Sequence, residues 1–387
     1  MPIIIPEERA PLTSIIILAW KLVDELRGCL QSILDSADAP PYEVILVSNG
    51  ARPEVQAFIE DEVVGAHIVT LPENIGFGGA CNVGAAVARG RYVVMLNDDT
   101  IVEPGWLATI TRAAAETGAE IIASTLLNAN GTLQEAGSRV LTGAGTVQLG
   151  SGLSLPEAQD LGLLTRRQVD YGSGAALLVT REAFEGLGGF DPVYRPAYFE
   201  DIDLCFRSKV RGGIVLLEPS ARVTHVSGGS TEGEIRFRTF ASDHAGRAFI
   251  RRWSATLATA PTADAPLSEL CTILPPVSDD LTGPETTDGA NEADDAVTTA
   301  LDIQRTYARW LNARLDDCED AGTRFERRQE VLESELHTEW QRAESFGNRV
   351  HELTARLEDL DNRGPLGIIK WQVGVWSRKR SERRVDR

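Results

Sequence analysis

Positive charge is what this sequence is short of. Across 387 residues, 38 Lys and Arg stand against 57 Asp and Glu, a formal net charge of −19. A protein that grips nucleic-acid phosphates needs a basic face, so that function class is excluded. An acidic chain that handles anions does so through a metal ion or helix N-termini. Cysteine is also sparse. The five residues Cys29, Cys81, Cys205, Cys271 and Cys318 are odd in number and form no CxxC pair. That excludes a disulfide framework and a thiolate zinc site, and indicates reduced thiols in a cytosolic protein. No apolar run approaches the ~20 residues of a membrane span. The stretch from Met1 to Ser14 carries Glu7 and Glu8 and lacks the basic start of a signal peptide. Apolar residues are plentiful: 43% of the chain is hydrophobic and 25% charged, enough for a sizeable core. At ~100–200 residues per domain, the length predicts two folded units or one large unit with appendages.

The first half alternates strand and helix signals. Apolar runs at Ser14–Trp20, Tyr42–Val47, Ala66–Leu71 and Arg91–Leu96 predict strands. Helical spacing at Asp24–Ser36, Pro53–Glu62 and Gly78–Arg89 predicts helices between them. Strand, helix, strand at this spacing predicts βαβ units and an α/β fold with a mainly parallel sheet. Ligands bind beyond the C-terminal ends of such strands, which directs attention to the residues just after Trp20, Val47, Leu71 and Leu96.

The fourth predicted strand runs into Asn97-Asp98-Asp99-Thr100. Two adjacent carboxylates at the mouth of a sheet raise each other's pKa or hold a divalent cation, and oxygen ligands suit Mg²⁺ or Mn²⁺. A solvated turn with an N-capping Asp is the other reading. The loop after the third strand, Glu73-Asn-Ile-Gly-Phe-Gly-Gly-Ala-Cys-Asn82, has Gly76 and Gly78 but Cys81 where a dinucleotide fingerprint needs its third glycine. A nicotinamide cofactor is therefore disfavoured. A hundred residues on, Glu200, Asp201 and Asp203 are interleaved with Tyr198, Phe199, Ile202 and Phe206. Carboxylates set in apolar sequence are candidates for a perturbed pKa and hence for a general base, or for a helix N-terminal turn. His225 ends a strand-like stretch before a Gly/Ser loop, where it could complete a metal site with Asp99.

Together with Gly189-Phe-Asp191, these pieces in this order resemble the family-2 glycosyltransferases with the GT-A fold, over roughly residues 14–249. Within that family they are most similar to bacterial rhamnosyltransferases of cell-wall and O-antigen assembly. The resemblance implies an inverting transfer from a nucleotide-diphosphate sugar. Asp99 and His225 would hold Mn²⁺ or Mg²⁺ on the diphosphate, and Asp98 would reach the ribose or sugar. Asp201 would be the base, with Glu200 beside it. Trp20, Asn49, Asn74, Gly76 and Asn82 would line the donor site. Where the second strand of the family commonly ends in Asp-Asn, this chain has Ser48-Asn49, and a neutral Ser binds a base N–H less strongly than a carboxylate does. The competing enzyme class is a nucleotidyltransferase. It would need a basic residue in a Gly-rich first loop, and Ala19–Asp24 offers only Lys21. The competing non-enzyme reading is a scaffold with an inactive domain, against which the complete acid set at 98, 99, 200 and 201 argues.

The domain is expected over residues 12–255. From Thr256 to Ala300 there are nine acids and no Lys or Arg, which predicts an acidic disordered linker. From 301 to 362 a seven-residue pattern takes Leu301, Ala308, Leu315, Leu311 and Leu332 among others, interrupted at Gln304, Gly322, Gln329 and Glu339. This predicts a coiled-coil-like helical segment and self-association, or helices packed back on the domain. In the tail, 363–387, Trp371 and Trp376 precede a basic cluster around Arg378-Lys-Arg380. An anionic membrane surface is the expected partner, placing the enzyme in the cytoplasm or peripherally on the cytoplasmic face, where a polyprenyl-linked or glycan acceptor would be met.

Overall fold

The unbroken apolar runs form strands because both of their faces are covered. In β1 (Thr13–Ala19), Ile16 joins one core while Ile15 and Ile17 join the core on the opposite face of the sheet. β2 (Tyr42–Asn49) repeats this with Ile45 on one side and Val44 and Leu46 on the other. The computed structural model describes residues 2–36, 39–226, 235–277, 296–319 and 334–349, with 352 and 355. It divides into two compact units, Met1–Ala300 and Leu301–Arg387.

In the first unit, α1 (Val23–Leu34), α2 (Pro53–Glu62) and α3 (Phe77–Ala86) connect β1, β2, β3 (His67–Leu71) and β4 (Tyr92–Asn97). These four strands are parallel, in the order β3-β2-β1-β4. The expected α/β fold is present, and its predicted strands and helices fall within a few residues of the observed ones. α3 is built of small residues because it lies close to the sheet: a Cβ on Gly84 would come within 2.6 Å of Ile16 Cγ2.

Beyond β4 the chain forms β5 (Thr100–Val102), α4 (Trp106–Thr117), β6 (Ile121–Leu127), β7 (Leu133–Glu135), β8 (Arg167–Gln168) and β9 (Ala176–Thr180). α5 (Glu200–Val210), β10 (Val215–His225) and α6 (Ile235–Arg252) come next. The sheet continues past β4 as β9-β6-β10-β8, with β9 antiparallel to β4 and to β6. β5 pairs with β10 and β7 with β6, so both short strands sit beside the end of β4.

The stretch expected as a linker is packed chain in its first half. Thr256, Leu257 and Leu274 are buried, and Thr256 Oγ1 exchanges hydrogen bonds with the Val277 backbone at 2.7 and 2.9 Å. The charge count hid this, because seven of the nine acids lie between Asp279 and Asp295, outside the described residues. In the second unit, residues 301–319 continue the helix Ala296–Glu319 and residues 334–349 are helical. Leu301, Ala308 and Leu311 of the expected seam are buried. The Gly/Ser loop at 227–234, residues 320–333 and the basic tail lie outside the described residues.

Candidate active site

β4 delivers the acidic pair. Its last residue, Asn97, accepts from Thr100 Oγ1 at 2.6 Å through its carbonyl, closing a tight turn that holds Asp98 and Asp99. Both are buried, at 7% and 5% exposure. Burial, and next the charge of Asp99, push Asp98 up to about 7, against a backbone hydrogen bond at Trp20. β5 leaves the turn and pairs antiparallel with β10, with Thr100 opposite His225. That register sets His225 Nε2 3.2 Å from Asp99 Oδ1, while the Val226 N–H donates to the Asp99 carbonyl at 3.0 Å. Asp99 and His225, more than a hundred residues apart in sequence, are thus brought together.

The pair suits a divalent cation. Asp99 Oδ1 is buried and has no hydrogen-bond partner. Two ligands on one ion at ~2.1 Å, with a right angle between them, stand ~3 Å apart. Among the described residues no three His, Cys, Asp or Glu side chains gather into a protein-only metal cage. An ion held here by two side chains would leave most of its shell to phosphate oxygens and water, as Mg²⁺ in nucleotide sites does.

The second set of acids opens α5. Tyr198 and Phe199, just before it, adopt left-handed φ of 78° and 68°. Such conformations in bulky residues cost about 1–3 kcal/mol each and persist where surrounding structure enforces them. Asp201 is partly exposed; its Oδ2 accepts from the Gly174 N–H at 3.0 Å and its Oδ1 from the Ile202 N–H at 2.8 Å. Burial raises its pKa, but these backbone donors favour the ionised form. Glu200 is buried with Oε2 unpartnered, and burial together with the charge of Asp201 pushes it well above the ordinary carboxylate range. Both carboxyls are pushed up, and the Gly174 and Ile202 N–H groups oppose that rise at Asp201. Asp203 is different again. It accepts from Tyr194 Oη, Arg207 Nε, Arg252 Nη1 and Trp253 Nε1 at 2.6–3.0 Å, tying α5 to α6.

One turn joins the two acid sets. The Asn97 N–H donates to the Ala175 carbonyl at 3.0 Å, and the preceding residue, Gly174, holds Asp201. The Ser173 N–H donates to Glu135 at 3.2 Å. Glu135 is 3% exposed; burial, with the Asp201 charge added, pushes it up to about 7. Sequence reasoning missed Glu135, Gln134 and the Ser173-Gly174 turn. The signal that could have found the turn is Gly172-Ser-Gly174 placed immediately before an apolar run.

The residues expected to line the donor site are mostly committed to shaping its loop. Asn49 donates to the Gly76 carbonyl at 3.2 Å and accepts from Ile75 N–H at 3.0 Å. Asn74 accepts from Gly76 N–H at 2.9 Å. Gly76 has φ +85°, and a Cβ there would lie 2.3 Å from the Pro196 carbonyl oxygen. Asn82 exchanges two 2.9 Å hydrogen bonds with the Phe190 backbone. Trp20 stands at the end of β1 with Lys21 Nζ 3.6 Å from its ring centroid. Ser48 donates its hydroxyl to Gln56 at 2.5 Å.

A strand-end acidic pair facing a late His, with a backbone-held Asp beyond it on an α/β sheet, is the arrangement that the resemblance drawn from the sequence implies. Residues 14–187 match the family described as Glycosyl transferase family 2, and the chain carries a domain of that family. It is 30% identical over 226 residues to the O-antigen biosynthesis protein RfbC of Myxococcus xanthus, covering 57% of this chain and 18% of that one. It is 28% identical over 257 residues to the succinoglycan biosynthesis protein ExoO of Rhizobium meliloti, covering 64% of this chain and 70% of that one. Over 67 residues it is 43% identical to the N-acetylglucosaminyl-diphospho-decaprenol L-rhamnosyltransferase of Mycobacterium tuberculosis, covering 17% of this chain and 22% of that one. The chain therefore spans less than a quarter of the first and third of these relatives.

Proposed function

We propose that this chain is an inverting, metal-dependent glycosyltransferase that moves a sugar from a nucleotide-diphosphate sugar to a hydroxyl of a glycan or lipid-linked acceptor in surface-polysaccharide assembly. The observation that carries the proposal is the orphaned Asp99 oxygen facing His225, joined through one turn to an Asp201 whose carboxylate accepts from backbone N–H groups. The O-antigen and succinoglycan relatives support the polysaccharide setting, and the short rhamnosyltransferase match makes rhamnose the sugar to test first.

Asp201 takes the proton of the acceptor hydroxyl. That oxygen bonds to the anomeric carbon as the bond to the diphosphate breaks, so one displacement inverts the configuration. Burial and the Asp201 charge push Glu200 well up, which favours its neutral form and limits the charge that would repel the incoming oxygen. Asp99 and His225 would hold Mn²⁺ or Mg²⁺, which supplies charge stabilisation for the leaving diphosphate. Asp98 contacts the ribose or sugar, and Trp20 stacks on the base. The loop fixed by Asn49, Asn74, Gly76 and Asn82 shapes the donor pocket.

The acceptor places the enzyme peripherally on the cytoplasmic face of a membrane, through the basic tail. None of the described helices is long and apolar enough to cross a membrane. The helical segment from Leu301 is the surface for self-association. The test is a thermal-shift screen of sugar nucleotides with and without Mn²⁺, then NMR of the product formed from the best donor. One donor should stabilise the chain only with Mn²⁺, and the product anomer should be opposite to the donor's. A retained anomer would overturn the single displacement and the role of Asp201.

A further inference from the structure

β7 contributes a residue to the metal side of the site that no motif marks. The ladder runs Leu133 to Leu127 across β7 and β6, then Leu127 to Thr224 across β6 and β10. This register places Gln134 beside His225, ninety-one residues away in sequence, with Gln134 Oε1 2.9 Å from His225 Nδ1. On the other ring nitrogen, Nε2 has the Asn97 side-chain Nδ2 at 3.4 Å and Asp99 Oδ1 at 3.2 Å. The amide oxygen of Gln134 can only accept, so a hydrogen bond here requires the proton on Nδ1. The Asn97 amide N–H can only donate, which agrees with a lone pair on Nε2. That lone pair then faces an Asp99 oxygen that has no hydrogen-bond partner of its own. Two lone-pair-bearing atoms at that distance repel unless a cation comes between them.

We propose that Gln134 is a positioning residue that fixes His225 in the Nδ1–H tautomer and so turns Nε2 into a metal ligand opposite Asp99. The inference rests on the metal part of the function proposed above. A ligating imidazole nearly always donates its other N–H to a protein acceptor, which sets the tautomer and raises the basicity of the ligating nitrogen. Gln134 is that acceptor. It touches no reacting atom and acts only through the ring.

Two measurements on the full chain test this. The first is the tautomer without metal, from long-range ¹H–¹⁵N spectra of protein labelled at its five His residues. His225 should carry its proton on Nδ1, and Gln134→Leu should shift it to a mixture. The second is Mn²⁺ affinity, from the EPR signal of free Mn²⁺. Gln134→Leu should weaken binding ~10–100-fold, the usual loss on removing such a partner. Gln134→Glu, which still accepts from Nδ1–H, should keep the affinity. A merely structural role would not predict that rescue, and thermal unfolding of both variants reports whether the fold is intact. The proposal is overturned by an Nε2–H tautomer in the parent protein, by parent-like Mn²⁺ affinity in Gln134→Leu, or by loss of affinity in a folded Gln134→Glu. If Asp99→Ala binds Mn²⁺ like the parent, the metal reading itself fails and this inference with it. The metal-free tautomer spectrum shows which of the two was wrong.

Discussion

Glu135 offers a prediction whose size can be worked from its surroundings. It is 3% exposed, and its carboxyl is pushed from 4.5 up to about 7 by burial and by the charge of Asp201, against the Ser173 N–H. The folded state therefore holds the proton more tightly than the unfolded chain does. Below pH 4.5 both states are protonated and the group contributes nothing to the pH dependence. As pH rises to about 7 the unfolded chain releases its proton first, so stability falls across this window and the penalty is complete above it. At ~1.4 kcal/mol per unit, that rise corresponds to ~3 kcal/mol at pH 8.

Glu135→Gln removes the titration and keeps an oxygen to accept from Ser173. The variant should be close to the parent near pH 4.5 and more stable by ~3 kcal/mol at pH 8. With a urea slope of ~3 kcal/mol per molar, that is a midpoint raised by ~1 M. Tryptophan fluorescence is a suitable probe, since Trp106 and Trp253 are buried in the unit that carries Glu135. A difference between variant and parent that stays flat from pH 4.5 to 8 would refute the reasoning, as would a variant less stable at pH 8.

We further expect Asp201→Asn to keep donor affinity while turnover falls ~10²–10⁴-fold, measured by calorimetry and product release. If Glu200→Gln is the inactive variant instead, the base has been misassigned. Asp99→Ala should abolish Mn²⁺-dependent donor binding in calorimetry without lowering the thermal midpoint, because it removes a buried charge rather than a packed side chain. Asp203→Ala should cost about 3–5 kcal/mol in urea unfolding, since it leaves Arg207 and Arg252 without their shared carboxylate; a loss below ~1 kcal/mol would show that the remaining partners compensate. Deleting residues 365–387 should abolish co-sedimentation with anionic vesicles yet spare activity on a soluble acceptor, and equal binding by the deletion would remove the tail's proposed role.

How much of this was legible in the sequence depended on the range of the interaction. β1 to β4 were found because an apolar run flanked by turn residues is a local signal. Asp98 and Asp99 were found because two carboxylates after such a run are conspicuous. The pairing of Asp99 with His225 was suggested by a His ending a strand-like stretch before a Gly/Ser loop and then by the family resemblance, and the antiparallel register of β5 with β10 supplies its physical reason. Gln134 and Glu135 were missed because nothing local distinguishes Leu133-Gln-Glu-Ala136 from an ordinary short strand. Their meaning lies in contacts to His225 and Ser173, ninety-one and thirty-eight residues away. The packed stretch before residue 278 was missed because charge was averaged over a window that joined Leu257 and Leu274 to a far more acidic segment.

Glu200, Asp201 and Asp203 share one helical turn, and the folded environment gives each a different fate. Burial would raise Asp203, but Arg207 and Arg252 hold it below the ordinary range, which favours the charged form in its tie between α5 and α6. Glu200, buried without a counter-charge, is pushed well above that range. Asp201 is left with backbone N–H donors, which favour its charge without cancelling it and leave its basicity available. Divergence among neighbouring carboxylates is how acid and base roles are separated at neutral pH. The same logic explains why a site this rich in acids is tolerated. Asp98 and Glu135 are each pushed up to about 7, so at neutral pH the pocket holds fewer charges than carboxyl groups. A site arranged in this way gives up folding stability, which a cation bound under the function proposed above would restore.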